Sequence, residues 1–107
     1  YRLKKYIGSY MAVLNKVDAL SFTGGVGENS SLIREKTLEN LEYLGIEIDK
    51  EKNRNLKRGV ETEISASSSK IKVFVIPTDE EIVLTEDVIA VLNGKYKDHS
   101  SYSYSFL

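Results

Sequence analysis

Apolar side chains recur at helical spacing from the first residues. Leu3, Tyr6, Ile7, Tyr10, Met11 and Leu14 fall at i, i+3, i+4, i+7, i+8 and i+11. Residues 1 to 16 therefore predict a helix with one continuous apolar face. Arg2, Lys4, Lys5 and Lys16 lie mostly elsewhere. No capping residue precedes Tyr1, so this helix is expected to belong to an element that starts upstream.

The pattern then changes period. Ala19 to Phe22 is apolar, alternates weakly and predicts a buried strand that stops at Thr23. Gly24, Gly25 and Gly27 follow, then Asn29, Ser30 and Ser31, whose side chains cap helices. A second helix is expected from about Ser31 to Leu44. Ile33, Leu41 and Leu44 share its face, with Leu38 at the edge, and Arg34, Glu35, Lys36, Glu39 and Glu42 are expected to be mostly solvated. Gly45 stands where a C-terminal glycine cap belongs.

Smaller elements come next. Ile46-Glu47-Ile48 alternates like a brief strand, and Asp49 can cap a short helix from Lys50 to about Lys57, ending near Gly59. Val60 to Ile64 is a candidate short strand, and Ser65 to Ser69 reads as a surface loop. Ile71 to Ile76 is the second clear strand. Its run Val73 to Ile76 is apolar throughout, which suits a sheet covered on both faces, and Pro77 ends it. A third long helix is expected from Thr78 to about Leu92, with Leu84, Val88 and Val91 on one face. Lys95 to Leu107 alternates serine and tyrosine without a helical face and is expected to be a flexible, peripheral tail after a domain spanning residues 1–94. Strands alternating with helices indicate an α/β layer.

Composition adds limits. The chain has 107 residues, 41% hydrophobic and 29% charged, with a net charge of −1, enough for one modest domain. Near-neutral charge provides no general attraction to nucleic acid or acidic membranes. With no cysteine there are no disulfides and no thiolate metal sites. His99 has no partner at ligand spacing and is assigned no metal role. No apolar run reaches the roughly 20 residues of a membrane span, so the simplest compartment is the cytoplasm.

Candidate chemistry sits at the two strand ends. A strand, a glycine turn and a helix in succession put bare backbone at the mouth of a sheet. The N–H groups opening a helix favour a polar or anionic ligand. Yet Gly24-Gly25-Val26-Gly27 is not a Walker loop, because no Gly-Lys-Ser/Thr follows. It is not a dinucleotide fingerprint either, because Ser30 stands where the last glycine of G-x-G-x-x-G is required. A close-packed structural turn and a nucleotide site both fit it. At the second strand end, Thr78 and Glu81 have capping-box spacing. With Thr78 as the cap and Glu81 folded back, Asp79 and Glu80 remain as first-turn carboxylates. They are either acids favoured by the helix dipole or part of a magnesium site. If the two strands are parallel, both turns lie on the same edge, where open α/β sheets bind ligands.

Phe22-Thr-Gly-Gly-Val-Gly-Glu-Asn-Ser30, Ile33-Arg34-Glu35, Leu41-Glu-Tyr-Leu-Gly-Ile46 and Val75-Ile-Pro-Thr-Asp-Glu-Glu81 resemble, in order and interval, the C-terminal part of the acetate kinase (acetokinase) family. The likeness runs from about Arg2 to Leu92, and propionate and butyrate kinases share much of it. It implies a ribonuclease-H-like α/β lobe of the actin, Hsp70 and sugar kinase superfamily. It implies that Gly25, Val26, Gly27, Glu28 and Asn29 line the adenosine side of an ATP/ADP site, and that Glu80 is associated with Mg2+. Asp79 departs from the asparagine usual in the family, and the Tyr-Ser tail has no counterpart in its pattern. The family's catalytic arginines and aspartate and its His-Leu-Gly-x-Gly segment have no match in the chain. The part that meets acetate or acetyl phosphate is therefore expected to lie outside it, and the chain alone is expected to be inactive. The resemblance also implies a homodimer. A propionate or butyrate kinase fragment, or a non-catalytic nucleotide-binding or interaction module, are the alternatives.

Overall fold

The structure, a computed structural model, describes residues 1–98 and 100–106, so His99 and the reading of it lie outside the described residues, as does Leu107. It divides into two compact units, Tyr1–Pro77 and Thr78–Leu107.

In the first unit, α1 (Arg2–Leu14) lies on a three-stranded sheet of order β1-β3-β2, with β1 at Ala19–Phe22, β2 at Thr62–Glu63 and β3 at Lys72–Val75. β1 and β3 are parallel, pairing Leu20 with Val73 and Phe22 with Val75, whereas β2 is antiparallel to β3. The parallel register puts Leu20, Phe22, Val73 and Val75 in one core with Leu38, Leu41, Ile46, Ile64 and Ile71. From α1, Ile7 and Met11 pack against this core, while Tyr6 and Tyr10 on the same face stay exposed. The predicted apolar stripe is thus real but only partly covered within this unit.

Three elements differ from expectation. First, the glycine turn is itself helical: α2 (Gly24–Asn29) follows β1 directly, and only then does Ser30 cap α3 by accepting from the Ile33 N–H at 3.2 Å. Gly24 starts α2 at φ 71°, a left-handed conformation for which glycine is suited.

Second, α3 (Ser31–Leu38) stops six residues short of Leu44. Asn40 takes a left-handed φ of 63°, and a 3-10 turn at Glu42–Leu44 ends at Gly45, φ 83°. The break rotates the face. Leu38 and Leu41 are buried, Leu44 is exposed, and the inward residues of α3 are Arg34, Thr37 and Leu38. Arg34, expected to be solvated, is 2% exposed.

Third, α4 (Lys50–Arg54) is capped by Asp49 as expected but ends three residues early. Leu56 turns in against the core, and Gly59, φ 75°, belongs to a separate turn closed by Val60 N–H donating to Lys57 O at 3.3 Å.

The serine stretch is not a loose loop at its ends. Buried Ser65 accepts from the Val73 N–H at 2.7 Å, and Ser69 accepts from the Glu47 N–H at 3.0 Å. Hydroxyls here stand in for missing ladder partners. The expected strand at Ile46–Ile48 is reduced to a single bridge, Ile48 to Ser65.

The second unit holds α5 (Glu80–Leu92) and the residues after it. Its cap is Asp79, which accepts from the Ile82 N–H at 3.1 Å. This shifts the helix start by one residue and takes Thr78 and Glu81 out of capping-box register. Leu84, Val88 and Val91 are exposed, and Ala90 is the buried residue of α5. Described residues of the Tyr-Ser segment meet α5: Tyr104 donates to Asp87 at 2.8 Å, and the Ser105 N–H donates to Glu86 at 3.0 Å. The Tyr102 and Tyr104 rings meet edge-to-face, and Tyr104 stacks on Phe106. Among the described residues no helix is long and apolar enough to cross a membrane.

Candidate functional site

The carboxyl ends of β1 and β3 share one edge, where the Ile76 N–H donates to Phe22 O at 2.9 Å. Beyond β1 stands α2. Its glycines set how close other groups approach. A Cβ on Gly27 would sit 3.4 Å from the Phe22 carbonyl carbon, so α2 packs directly on the strand. A Cβ on Gly25 would meet nothing within 4 Å. That bare backbone opens onto a groove of about 410 Å³ lined by Gly24, Gly25, Val26 and Gly27, with apolar walls that include Phe22 and Ile33.

The last two candidate residues face a different space. Glu28 and Asn29 line a smaller cleft of about 140 Å³, with Val75 and Pro77 from the end of β3 and a set of cations: Arg34, Arg54, Lys57 and Arg58. No residue lines both cavities. The five candidates expected in one site are therefore divided by α2. Gly25, Val26 and Gly27 border the apolar groove, and Glu28 and Asn29 border the polar cleft.

Glu28 and Asn29 also brace α2. The Glu28 carboxylate accepts from the Gly24 N–H at 2.9 Å, at the start of the helix, where the dipole favours negative charge. Asn29 Nδ2 donates to Gly25 O at 2.8 Å. At the other end, the carbonyls of Gly27 and Glu28 lack intrahelical partners. Arg34 supplies them, donating through one terminal nitrogen to Gly27 O at 2.7 Å and Glu28 O at 2.9 Å. Its other donors reach α4, with Nε to Asn53 Oδ1 at 2.7 Å and the second terminal nitrogen to Asn53 O at 3.0 Å. Asn53, fully buried, donates in turn to Ser31 O at 2.9 Å. One guanidinium thus ties α2, α3 and α4 together.

Among the described residues every hydrogen-bond partner of Arg34 is a neutral oxygen, and it has no ion pair. Burial lowers its pKa from the usual arginine value, but a guanidinium stays charged throughout the accessible range. Glu35, expected to be solvated, has a side chain only 19% exposed and bridges Arg54 at 3.2 Å and Lys50 at 3.4 Å. Burial alone would raise its pKa. Hydrogen bonds and charge from Arg54 and Lys50 outweigh that and hold it below the usual glutamate value.

The sequence reading missed Arg34, Asn53 and the Lys57-Arg58 pair. Arg34, Thr37, Leu38 and Leu41 stand at i, i+3, i+4 and i+7, a face that would have exposed the first of them. Asn53 and the pair carry no pattern, because their roles depend on a turn whose partners are distant in sequence. Glu80 lies in the first turn of α5 in the second unit, exposed, and its carboxylate has no partner among the described residues. Those residues contain no cluster of three or more metal-ligating side chains.

Parallel strands that open at one edge onto a glycine helix and flanking cavities give the first unit the layout in which open α/β sheets bind ligands. Comparison with known proteins narrows the class. Residues 1–86 match the Acetokinase family, and the chain belongs to that family. It is 60% identical over 107 residues to acetate kinases of Geobacter metallireducens and Geobacter sulfurreducens, covering 99% of this chain and 25% of each relative. That alignment includes the Tyr-Ser segment, beyond the residues matched by the family pattern. Among solved structures, acetate kinase of Porphyromonas gingivalis has a TM-score of 0.71 at 47% identity, covering 86% of this chain and 23% of that one. A propionate kinase of Francisella tularensis has a TM-score of 0.64 at 44% identity, covering 75% and 20%. The chain has the mixed α/β fold of these kinases over the aligned part. It spans about a quarter of the length of the curated relatives it matches.

Proposed function

We propose that this chain is the C-terminal, nucleotide-binding part of an acetate kinase. The whole protein would transfer the γ-phosphoryl of ATP to acetate. A carboxylate oxygen of acetate bonds to the γ-phosphorus as the bond to the β,γ-bridging oxygen breaks, giving acetyl phosphate and ADP, and the reaction runs in reverse. Such transfer depends on positioning and on neutralising charge around the phosphates. This chain supplies part of that frame, and by itself it does not complete the reaction.

The carrying observation is the Gly25 backbone, open to an apolar groove, in a chain 60% identical to proteins named acetate kinase. An apolar groove floored by glycine backbone suits a flat base, since a Cβ at Gly25 would enter the space the ring needs. Gly25, Val26 and Gly27 take the adenosine there, while Glu28 and Asn29 hold α2 in shape. The choice of acetate over propionate rests on the names of the more similar relatives.

Mg2+ belongs to this reading through Glu80. Magnesium takes few protein carboxylates and completes its shell with water and substrate phosphate, so a single exposed acid fits. When bound, the ion neutralises phosphate charge. Asp79 is spent on the Ile82 N–H, which leaves Glu80 and Glu81 as first-turn acids, and the family resemblance assigns the ion to Glu80. We also infer a cytoplasmic homodimer. The exposed Tyr6 and Tyr10 of α1 support a covering partner, which a mass measurement on the full-length protein would detect.

The test is Gly25→Leu in the full-length protein. The new side chain meets open space, so the melting temperature should hold while ATP affinity falls by about tenfold or more. Unchanged ATP binding by calorimetry would refute the site. Gly27→Leu is a poorer probe, because it crowds Phe22 and confounds binding with folding.

A further inference from the structure

We propose that Asn53, on α4, is a positioning residue for the nucleotide: it aims Arg34, and Arg34 holds the glycine helix α2 in place beside the groove. The proposal rests on the nucleotide reading above and adds what fixes the Gly25 backbone.

α2 has little means of fixing its own place. It has six residues, three of them glycine, and so offers few side chains to pack. A helix this short is not stable by itself, and glycine weakens it further. Gly27 packs on Phe22, but at Gly25 a Cβ would meet nothing within 4 Å. The bonds from Gly24 N–H to Glu28 and from Asn29 to Gly25 O lie within α2. They brace its shape and do not locate it. Its carbonyl end is held from outside, where Arg34 Nη1 donates to Gly27 O at 2.7 Å and to Glu28 O at 2.9 Å.

A guanidinium makes that contact only when its plane is turned correctly, and Asn53 turns it. Asn53 Oδ1 accepts from Nε at 2.7 Å, and Asn53 O accepts from Nη2 at 3.0 Å. These two bonds occupy one edge of a rigid, planar fork, so the direction of Nη1 is fixed with them. Asn53 is fully buried, and its Nδ2 donates to Ser31 O at 2.9 Å, at the start of α3. It therefore grips the α2–α3 junction on both sides of the Ser30 cap. Its own place is referred to the sheet. The Asn53 N–H donates to Asp49 O at 2.9 Å, the Asp49 N–H to Ile64 O at 2.9 Å, and the Ile64 N–H to Val73 O, in β3, at 2.8 Å. Hydrogen bonds thus run from the central strand through Asn53 and Arg34 to the glycine helix. Positioning elements of this kind matter because a displacement of about 1 Å can cost on the order of 10²-fold in rate.

The experiment uses the full-length protein. Calorimetry measures ADP and adenosine binding, and initial rates measure the KM values for ATP and acetate. Asn53→Ala removes the oxygen that aims Nε. ADP and adenosine affinity should both fall by about tenfold, and KM for ATP should rise to match, while KM for acetate stays within about twofold. Unchanged ADP affinity would overturn the proposal. So would equal increases in both KM values, which indicate general damage. Asn53→Asp separates aiming from folding. It keeps an oxygen for Nε but sets a second oxygen against Ser31 O, so Tm should fall while ADP affinity stays within about twofold of wild type. ADP binding as weak as that of Asn53→Ala would assign the effect to the Ser31 tether and overturn the proposal. If Asn53→Ala does not fold, Arg34→Lys replaces it: one ammonium keeps the charge but cannot span Asn53 and two carbonyls. Its ADP affinity should fall by about tenfold, and wild-type affinity would overturn the proposal. If Gly25→Leu leaves adenosine binding intact, the nucleotide reading itself falls. If that variant behaves as expected, unchanged binding in Asn53→Ala sinks only the positioning role.

Discussion

The two cavities beside α2 are made in opposite ways. The groove is defined by side chains that are missing: Gly25 leaves room that any Cβ would fill, and Gly24 takes a backbone conformation that others adopt at a cost. The cleft is defined by side chains that are present, four of them cationic, one being Arg34 at the centre of its own hydrogen-bond network. Shape therefore selects on one side and charge on the other. The six-residue helix α2 separates them. The difference also explains why the predicted site residues came apart. They are contiguous in sequence, but a helical turn distributes contiguous residues around its axis.

Arg34→Ala should give the largest effect, because it attacks what the two cavities share. It would orphan the carbonyls of Gly27 and Glu28 and the buried Asn53 together. Leaving a buried acceptor unsatisfied costs about 1–3 kcal/mol, and several acceptors share this one donor. A urea midpoint on the full-length protein should fall accordingly, and both ADP and adenosine should bind more weakly. An unchanged midpoint would mean that other donors satisfy the Gly27 and Glu28 carbonyls once the guanidinium is gone.

Gly24→Ala probes the groove by itself. Its Cβ meets no neighbour, so the penalty is the left-handed backbone, about 1–2 kcal/mol. Adenosine should weaken as the start of α2 shifts. A midpoint equal to wild type would show that the turn relaxes without cost.

The smallest effect concerns the clasp between α3 and α4 behind the cleft. Glu35 has a folded pKa below its unfolded value because Arg54 and Lys50 outweigh its burial. The stability it contributes is therefore present above the unfolded glutamate pKa, about 4.3, and is lost as pH falls through the lower folded value. Glu35→Gln should be less stable than wild type at neutral pH, and the gap should close in acid. A gap that persists below that range would assign the difference to packing rather than charge. Surface-type pairs of this kind contribute modestly, so the shift should be small beside that of Arg34.

Much of this was legible along the chain. The β1 boundaries and the Asp49 cap follow from local rules, and each holds; of Asn29, Ser30 and Ser31 it is Ser30 that caps α3, while Gly45 closes a 3-10 turn and not the helix expected to reach it. Where the reading failed, long-range contacts overrode a local pattern. Leu41 and Leu44 continue the spacing of α3, yet a left-handed Asn40 breaks the helix so that Leu38 and Leu41 can both reach the core. Thr78 and Glu81 have capping-box spacing, yet Asp79 is the cap.

The sequence by itself determined the order of the longer elements, the strand followed by glycines, and membership of the family, because these depend on neighbours in the chain and on short-range periodicity. Only the tertiary structure decided that Arg34 is buried, that Asn53 receives it and that Lys57 and Arg58 share a cleft with Glu28. Charged residues on a helix look solvated from periodicity alone. Burial becomes tolerable only when distant carbonyls converge on them, and that convergence exists only after α2, α3 and α4 have come together.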